Sequence, residues 1–281
     1  MAKPAPQPGG VPEPPEDEPM TVFEHLGELR TRMWRSMLGI IPGIWIAWEF
    51  KEWLLAFLVK PLSKAWIKLG MGEPTLHFGN PVDLFVAYVK IAVTVGLIFA
   101  SPWIAYQMWG FIAPGLYSRE KLYAIPFALA SALFFAGGAF FGYATVFPFG
   151  FESLLGMAGM LPANVIRVQP TIMINEYLGF ATGMLLAFGV VFEVPVVLTF
   201  MAFAGIVNWK QLLKFGRYWI LIASILAAVL TPSPDIGSML MMMAPLILLY
   251  YLSVLIAYFV GPKVEPEHEA ENDPAPVTRS K

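Results

Sequence analysis

The sequence predicts an all-α membrane protein with six helical spans, and three observations carry that expectation. Of its 281 residues 57% are hydrophobic and only 14% charged, where a soluble domain carries about a quarter charged. Several apolar runs approach or exceed the roughly 20 residues that carry a helix across a bilayer. The runs are separated by segments that hold basic residues and Pro-containing turns. Lipid supplies no water for backbone N–H and C=O groups, so each span must satisfy them internally, as a helix does.

The spans follow in order. Span one is placed at roughly 34–57, after Arg30, Arg32 and Arg35, with a kink near Pro42 and an exit where Glu49 to Trp53 turn charged and aromatic. Span two covers roughly 84–109, with Trp103 and Trp109 as interface anchors. Span three, roughly 124–148, carries Gly138 and Gly142 at the small-xxx-small spacing that lets helices approach closely. Span four is placed at roughly 179–204. Spans five and six, roughly 217–231 and 236–260, flank the turn Thr231-Pro232-Ser233-Pro234-Asp235. The fifth reads as short for a bilayer, implying local thinning or a shallow placement.

Basic residues orient the spans. With the N-terminus inside, the inner segments carry Arg30, Arg32, Arg35, Arg119, Lys121, Lys210, Lys214, Arg217 and Lys263, against Lys51, Lys60, Lys64, Lys68 and Arg167 outside. Nine against five favours both termini in the cytoplasm of a cell whose inner membrane holds the chain. Outside, residues 58–82 place Leu58, Leu62, Trp66 and Leu69 at helical spacing with Lys60, Lys64 and Lys68 on another face, which predicts a helix lying along the interface. Residues 149–177 are expected to form a second cap.

The chain divides into 1–20, 21–262 and 263–281. The first and last parts are Pro-rich and acidic and bury too little apolar area to offset the entropy of ordering. Residues 1–20 and 264–281 hold three of the 18 basic and nine of the 20 acidic residues, so a formal charge of −2 conceals a positive membrane domain. Residues 1–20 do not read as a cleavable signal peptide. The absence of cysteine removes thiolate chemistry and Cys-bound metals. His25, His77 and His268 are far apart, so no metal site and no cofactor is expected. There is no HExxH, GxSxG, Walker loop or dinucleotide fingerprint. The chain is not expected to be an enzyme.

Polar groups in unusual places are the remaining candidates. In Thr21-Val22-Phe23-Glu24-His25-Leu26-Gly27-Glu28-Leu29-Arg30, Thr21 and Glu24 fit a capping box. Glu28 has two readings: an i,i+4 partner of Arg32 on a solvated helix, or a carboxylate presented to a cationic ligand. Glu120, between Arg119 and Lys121, either neutralises its neighbours or adds a second carboxylate on the same membrane face. Two such carboxylates would suit a pair of guanidinium groups, whose bidentate contacts Lys does not reproduce. Glu193, near the middle of span four, costs several kcal/mol at membrane depth and needs a function or an interhelical hydrogen bond to offset that. Pro195 frees a backbone carbonyl one turn before it. Asp235 reads most simply as the N-cap of span six. Lys90, within span two, snorkels or pairs with Asp83 or Glu193. Gln107 is polar near the inner end of that span.

Five blocks together resemble the TatC family, the multispan receptor subunit of the twin-arginine protein translocase. They are Phe23-Glu24-His25-Leu26-Gly27-Glu28-Leu29-Arg30; Pro102 with Gln107-Met108-Trp109-Gly110-Phe111, Pro114-Gly115-Leu116-Tyr117 and Glu120; Phe140-Phe141-Gly142-Tyr143 with Pro148; Phe192-Glu193-Val194-Pro195; and Leu230-Thr231-Pro232 with Asp235. Their order covers about 21–262. The resemblance implies a cupped six-helix fold with cytoplasmic termini and an inner-face site for twin-arginine signal peptides of folded cargo. By position it assigns Glu28 and Glu120 to the arginine pair, with Leu29, Arg30 and Phe111 nearby. It places Glu193 on the concave face as the intramembrane polar site, and Pro61 and Asp235 where structure and assembly are sensitive. It implies TatA-type and TatB-type single-span partners, self-association, and transport driven by the proton-motive force. Three positions depart from the family pattern: Asp83 is a shorter carboxylate, Met239 replaces a frequent Gln, and Leu249-Tyr250-Tyr251 lacks a final acid. Two other functions compete with this one. An ion-coupled secondary transporter would use Glu193 as proton carrier, although no inverted repeat is apparent. A passive scaffold would have no cargo site.

Overall fold

In the computed structural model, residues 22–112, 124–160, 167–231 and 236–260 are described. The chain enters as α1 (Val22–Glu49), one unbroken 28-residue helix that joins the amphipathic segment to the first apolar run and contains Pro42. It ends at Glu49, earlier than expected, and Phe50 forms a turn into α2 (Lys51–Lys68). The cluster Glu49, Lys51 and Glu52 is the physical reason, since these groups seek water. Then come α3 (Asp83–Ile112), α4 (Ala124–Phe141), a π-helical turn at Gly142–Val146, and α5 (Phe147–Gly156). A two-residue antiparallel pair, β1 (Gly159–Met160) with β2 (Arg167–Val168), qualifies the all-α expectation. The chain closes with α6 (Ile174–Phe192), α7 (Val194–Phe203), α8 (Trp209–Leu230) and α9 (Ile236–Val260).

Five helical stretches among the described residues are long and apolar enough to cross a membrane: Asp83–Ile112, Ile125–Gly156, Ile174–Phe203, Trp209–Leu230 and Ile236–Phe259. The α1 helix is not among them, because charges at Arg35 and Glu49 confine its uncharged stretch to 36–48. The fifth expected span is longer than its apolar run. It starts at Trp209, where Asn208 accepts from the Lys210 N–H and Gln211 accepts from the Asn208 N–H, a capping box. Lys210, Lys214 and Arg217 hide the first turns of this helix from a hydropathy reading, yet all three are exposed.

Small residues line the closest helix crossings, while many large apolar side chains face outward and others, such as Phe147, Phe188 and Tyr250, fill the interior. Ala87, Ala181, Ala223 and Ala227 are fully buried, while Trp45, Val229 and Phe259 are more than 70% exposed. This suits a lipid surround, where close backbone approach rather than water exclusion favours helix association. Two crossings show it. A Cβ on Gly43 of α1 would lie 2.6 Å from the Gly96 carbonyl oxygen of α3. A Cβ on Gly138 of α4 would lie 2.4 Å from the Phe188 carbonyl oxygen of α6. Gly142 continues the second contact, meeting the Phe188 ring, as its small-xxx-small spacing with Gly138 leads one to expect.

The α2 helix packs across one end of the bundle through Leu54, Leu58, Leu62, Ala65 and Trp66. Pro61 within it has no N–H to give the Phe57 carbonyl four residues earlier. The Tyr143 hydroxyl donates to that carbonyl at 2.9 Å, and the Tyr177 hydroxyl donates to the Leu58 carbonyl at 2.6 Å. Lys68 pairs with Glu152 of α5 at 2.7 Å. The loop before α3 is tied to the segment before α6 by backbone bonds on both sides of His77. Asp83 accepts from the Gly79 and Asn80 amides, both at 2.9 Å. At the other side of the molecule, α8 and α9 are joined by Tyr250, which stacks on Trp219 and donates to the Leu212 carbonyl.

Candidate functional site

The first site builds up where α1 begins and α3 ends. These helices cross in backbone contact at Gly43 and Gly96, and their ends are fixed by side chains. The Trp103 Nε1–H donates to the Arg35 carbonyl at 2.9 Å, and its indole fills the space a Cβ on Gly39 would need. His25 of α1 stacks on Phe111 of α3, ring centroids 4.3 Å apart. Between these contacts lies Glu28. Its Oε1 accepts from Arg32 Nε at 2.8 Å and forms an ion pair with Nη2 at 2.6 Å, and both side chains are about three-quarters buried. Its Oε2 is buried and has no hydrogen-bond partner among the described residues. The Arg32 guanidinium lies against Gly110 of α3, where a Cβ would come within 2.3 Å of Nη1.

The expected site residues therefore divide. Glu28 and Phe111 come together across α1 and α3. Leu29 is half-buried and Arg30 exposed, and both line a shallow depression with Leu26, Met33, Trp34 and Met37. Glu120 lies outside the described residues, as does Asp235. Pro61 is buried in α2 and its freed carbonyl is answered by Tyr143.

The second site is an internal polar chain. Glu193 was expected in mid-helix, but it occupies the break between α6 and α7. Pro195 follows it and donates no amide to the Val191 carbonyl, which a tighter bond from the end of α6 meets instead. Ser131 of α4, essentially fully buried, accepts from the Trp109 Nε1–H at 2.8 Å and hydrogen-bonds the Glu193 carboxylate. The serine hydroxyl thus links α3, α4 and the α6–α7 break. Glu193 Oε2 and Gln107 Oε1 are buried without a hydrogen-bond partner among the described residues.

Two expectations are corrected here. Trp109 is not an interface anchor: it is buried against Phe127 and Phe200, with ring centroids 5.1 and 4.7 Å away. Its indole N–H has a partner inside, so it need not reach headgroups. Lys90 pairs with neither Asp83 nor Glu193; its ammonium donates to the carbonyl and side-chain oxygen of Asn175 at the start of α6. Sequence reading missed Ser131, which sits in an Ala-rich run with nothing to mark it, and Asn175, whose partner Lys90 lies 85 positions away.

Chemically, the described residues offer hydrogen-bond acceptors and buried carboxylates but no nucleophile held by a base. Among them no group of three or more His, Asp or Glu could hold a metal ion. The bundle defines a polytopic helical membrane protein with two sets of polar groups inside it.

A family model described as "Sec-independent protein translocase protein (TatC)" matches residues 24–245. Relatives named Sec-independent protein translocase protein TatC include one from Desulforapulum autotrophicum, 42% identical over 94% of this chain and 95% of its own length. Another, from Koribacter versatilis, is 38% identical over 87% of each chain. A crystal structure of the twin-arginine translocase receptor TatC in DDM superposes with a TM-score of 0.69 at 35% identity, covering 83% of this chain and 99% of that one. The chain belongs to the TatC family. It is accordingly a membrane-embedded component of a Sec-independent protein translocase.

Proposed function

We propose that this chain is the receptor subunit of the twin-arginine translocase, binding the Arg-Arg signal peptides of folded proteins at the cytoplasmic face of the inner membrane. Six spans, with α1 as the first, would place both termini in the cytoplasm, with 1–20 and 263–281 as solvated acidic tails around the membrane domain 21–262. Glu28 and Glu120 receive the two guanidinium groups, and Leu29, Arg30 and Phe111 border them. The receptor nucleates a site assembled with TatA-type and TatB-type single-span proteins and further copies of itself, and the proton-motive force drives transport. Glu193 supplies the intramembrane polar position, while Pro61 and Asp235 support structure and assembly.

The observation that carries this reading is Glu28, a largely buried carboxylate already engaged by a guanidinium and still holding one unpartnered oxygen. An acceptor of that kind favours Arg over Lys, because the planar fork can meet both oxygens at once.

The test is capture of a twin-Arg signal peptide by the purified, detergent-solubilised chain, compared with its Lys-Lys counterpart. The Arg-Arg peptide should bind selectively. Glu28→Ala with Glu120→Ala should weaken it about tenfold or more, the scale of a lost charged hydrogen bond. Equal capture of both peptides by a well-folded protein would overturn the receptor assignment.

A further inference from the structure

The Glu28 carboxylate is not waiting empty. Arg32, one turn along α1, places Nε and Nη2 on the same oxygen, Oε1, and leaves Oε2 without a hydrogen-bond partner. A second guanidinium arriving in the fork geometry needs one N–H on each carboxylate oxygen. Oε2 is unpaired among the described residues but buried, and Arg32 already occupies Oε1, so a second guanidinium reaches the carboxylate only if Arg32 moves aside.

We infer that Arg32 is a built-in stand-in for the ligand's arginine, holding the Glu28 carboxylate in the resting receptor and giving up Oε1 when a signal peptide binds. The inference rests on the receptor reading above and adds a competition to it. A carboxylate buried to this extent is costly without a partner, and Arg32 meets that cost in the unliganded state. Its hold is that of one i,i+4 ion pair with a single hydrogen bond rather than a network, so a ligand guanidinium offering the same contact can displace it. Cargo affinity is therefore set by the difference between two similar guanidinium contacts, and exchange of one for the other leaves the carboxylate paired throughout.

Gly110 completes the device. The far end of Arg32 rests against this glycine of α3, where a Cβ would come within 2.3 Å of Nη1. An alanine there would push the guanidinium away from its present position while leaving both charged residues in the chain. Position 110 is thus a steric handle on the Glu28–Arg32 pair that involves no change of charge.

The competition is tested by titrating the purified full chain with a fluorescent twin-Arg signal peptide and its Lys-Lys counterpart, using Arg32→Gln, Arg32→Lys, Gly110→Ala, Arg35→Gln and Glu28→Ala. Arg32→Gln should bind the Arg-Arg peptide roughly two- to fivefold more tightly, the equivalent of a pair contributing up to about 1 kcal/mol. Gly110→Ala should tighten binding in the same direction without altering the net charge. Arg32→Lys, which keeps the charge but loses the fork, should fall between wild type and Arg32→Gln. Arg35→Gln reports the general electrostatic gain from removing a nearby cation, and that gain must be smaller than the Arg32→Gln effect. Thermal unfolding in detergent confirms that each variant is folded before its affinity is read. If Arg32→Gln and Gly110→Ala weaken or leave unchanged a binding that still selects Arg-Arg and still needs Glu28, the stand-in is wrong and the receptor stands. If wild type shows no Arg-Arg selectivity and Glu28→Ala has no effect, the receptor reading itself fails.

Discussion

Ser131 shows how much one hydroxyl does in this bundle. It accepts from Trp109 and hydrogen-bonds Glu193, so its removal takes the partner from a buried indole N–H and from a carboxylate oxygen. Unsatisfied buried groups cost about 1–3 kcal/mol each. Ser131→Ala should therefore lower the thermal unfolding midpoint in detergent by the equivalent of roughly 2 kcal/mol or more. Trp109→Phe removes the donor together with its need for an acceptor, so the double variant should lose less than the sum of the two singles. Additive losses would show that the serine does not link the two groups. At this scale the sequence was only partly legible. Glu28 and Glu193 stood out because charge is rare in such a chain, and the Glu28–Arg32 pair followed from i,i+4 spacing. Ser131, Asn175 and the inward orientation of Trp109 depend on which helices meet. Periodicity along one helix does not carry that information.

At the level of elements, glycine positions decide where helices touch. Gly137 and Gly138 are adjacent in α4, yet a Cβ on Gly137 would meet nothing within 4 Å and one on Gly138 would meet the Phe188 backbone oxygen at 2.4 Å. Alanine is the better helix former by about 1 kcal/mol. Gly137→Ala should accordingly be neutral or slightly stabilising. Gly138→Ala must part α4 from α6 and should destabilise by about 1–3 kcal/mol, the range for overpacking. Matched unfolding measurements of the two variants check this, and equal effects would mean that the crossing is not set by Gly138. The same logic separates what was read correctly in α2 from what was not. Leu58, Leu62 and Trp66 are buried along it at the expected spacing. Leu69, placed on the same face in the sequence, is exposed because the helix stops at Lys68 and Gly70 turns into a left-handed conformation at φ 65°. Pro61 was visible as a residue, but Tyr143, which donates to the carbonyl it frees, comes from 82 positions further along the chain.

For the whole molecule the open question is α1, and chain geometry shows which measurement decides it. Between Lys64 of α2 and Lys214 of α8 run three membrane-long stretches, Asp83–Ile112, Ile125–Gly156 and Ile174–Phe203. Those two lysines must then lie on opposite faces whether or not α1 crosses. Two further stretches return the C-terminus to the Lys214 side. Only the N-terminus relative to Lys64 depends on α1. Its 28 residues extend about 42 Å at 1.5 Å each, more than the roughly 30 Å hydrocarbon core. Its uncharged part, 36–48, extends only about 20 Å, so a crossing requires Arg35 and Glu49 to sit at the two headgroup levels with their side chains reaching outward. The native chain has no cysteine, so single replacements report without background. With an impermeant maleimide on intact cells, Lys64→Cys should react, while Ala2→Cys, Lys214→Cys and Ser280→Cys should react only after lysis. Reaction of Ala2→Cys in intact cells, with the other three as expected, would leave α1 on the Lys64 side as a surface helix. The chain would then have five spans, and Glu28 would lie on the face opposite Lys214, away from cytoplasmic cargo. The topology and the receptor site therefore stand on the same helix.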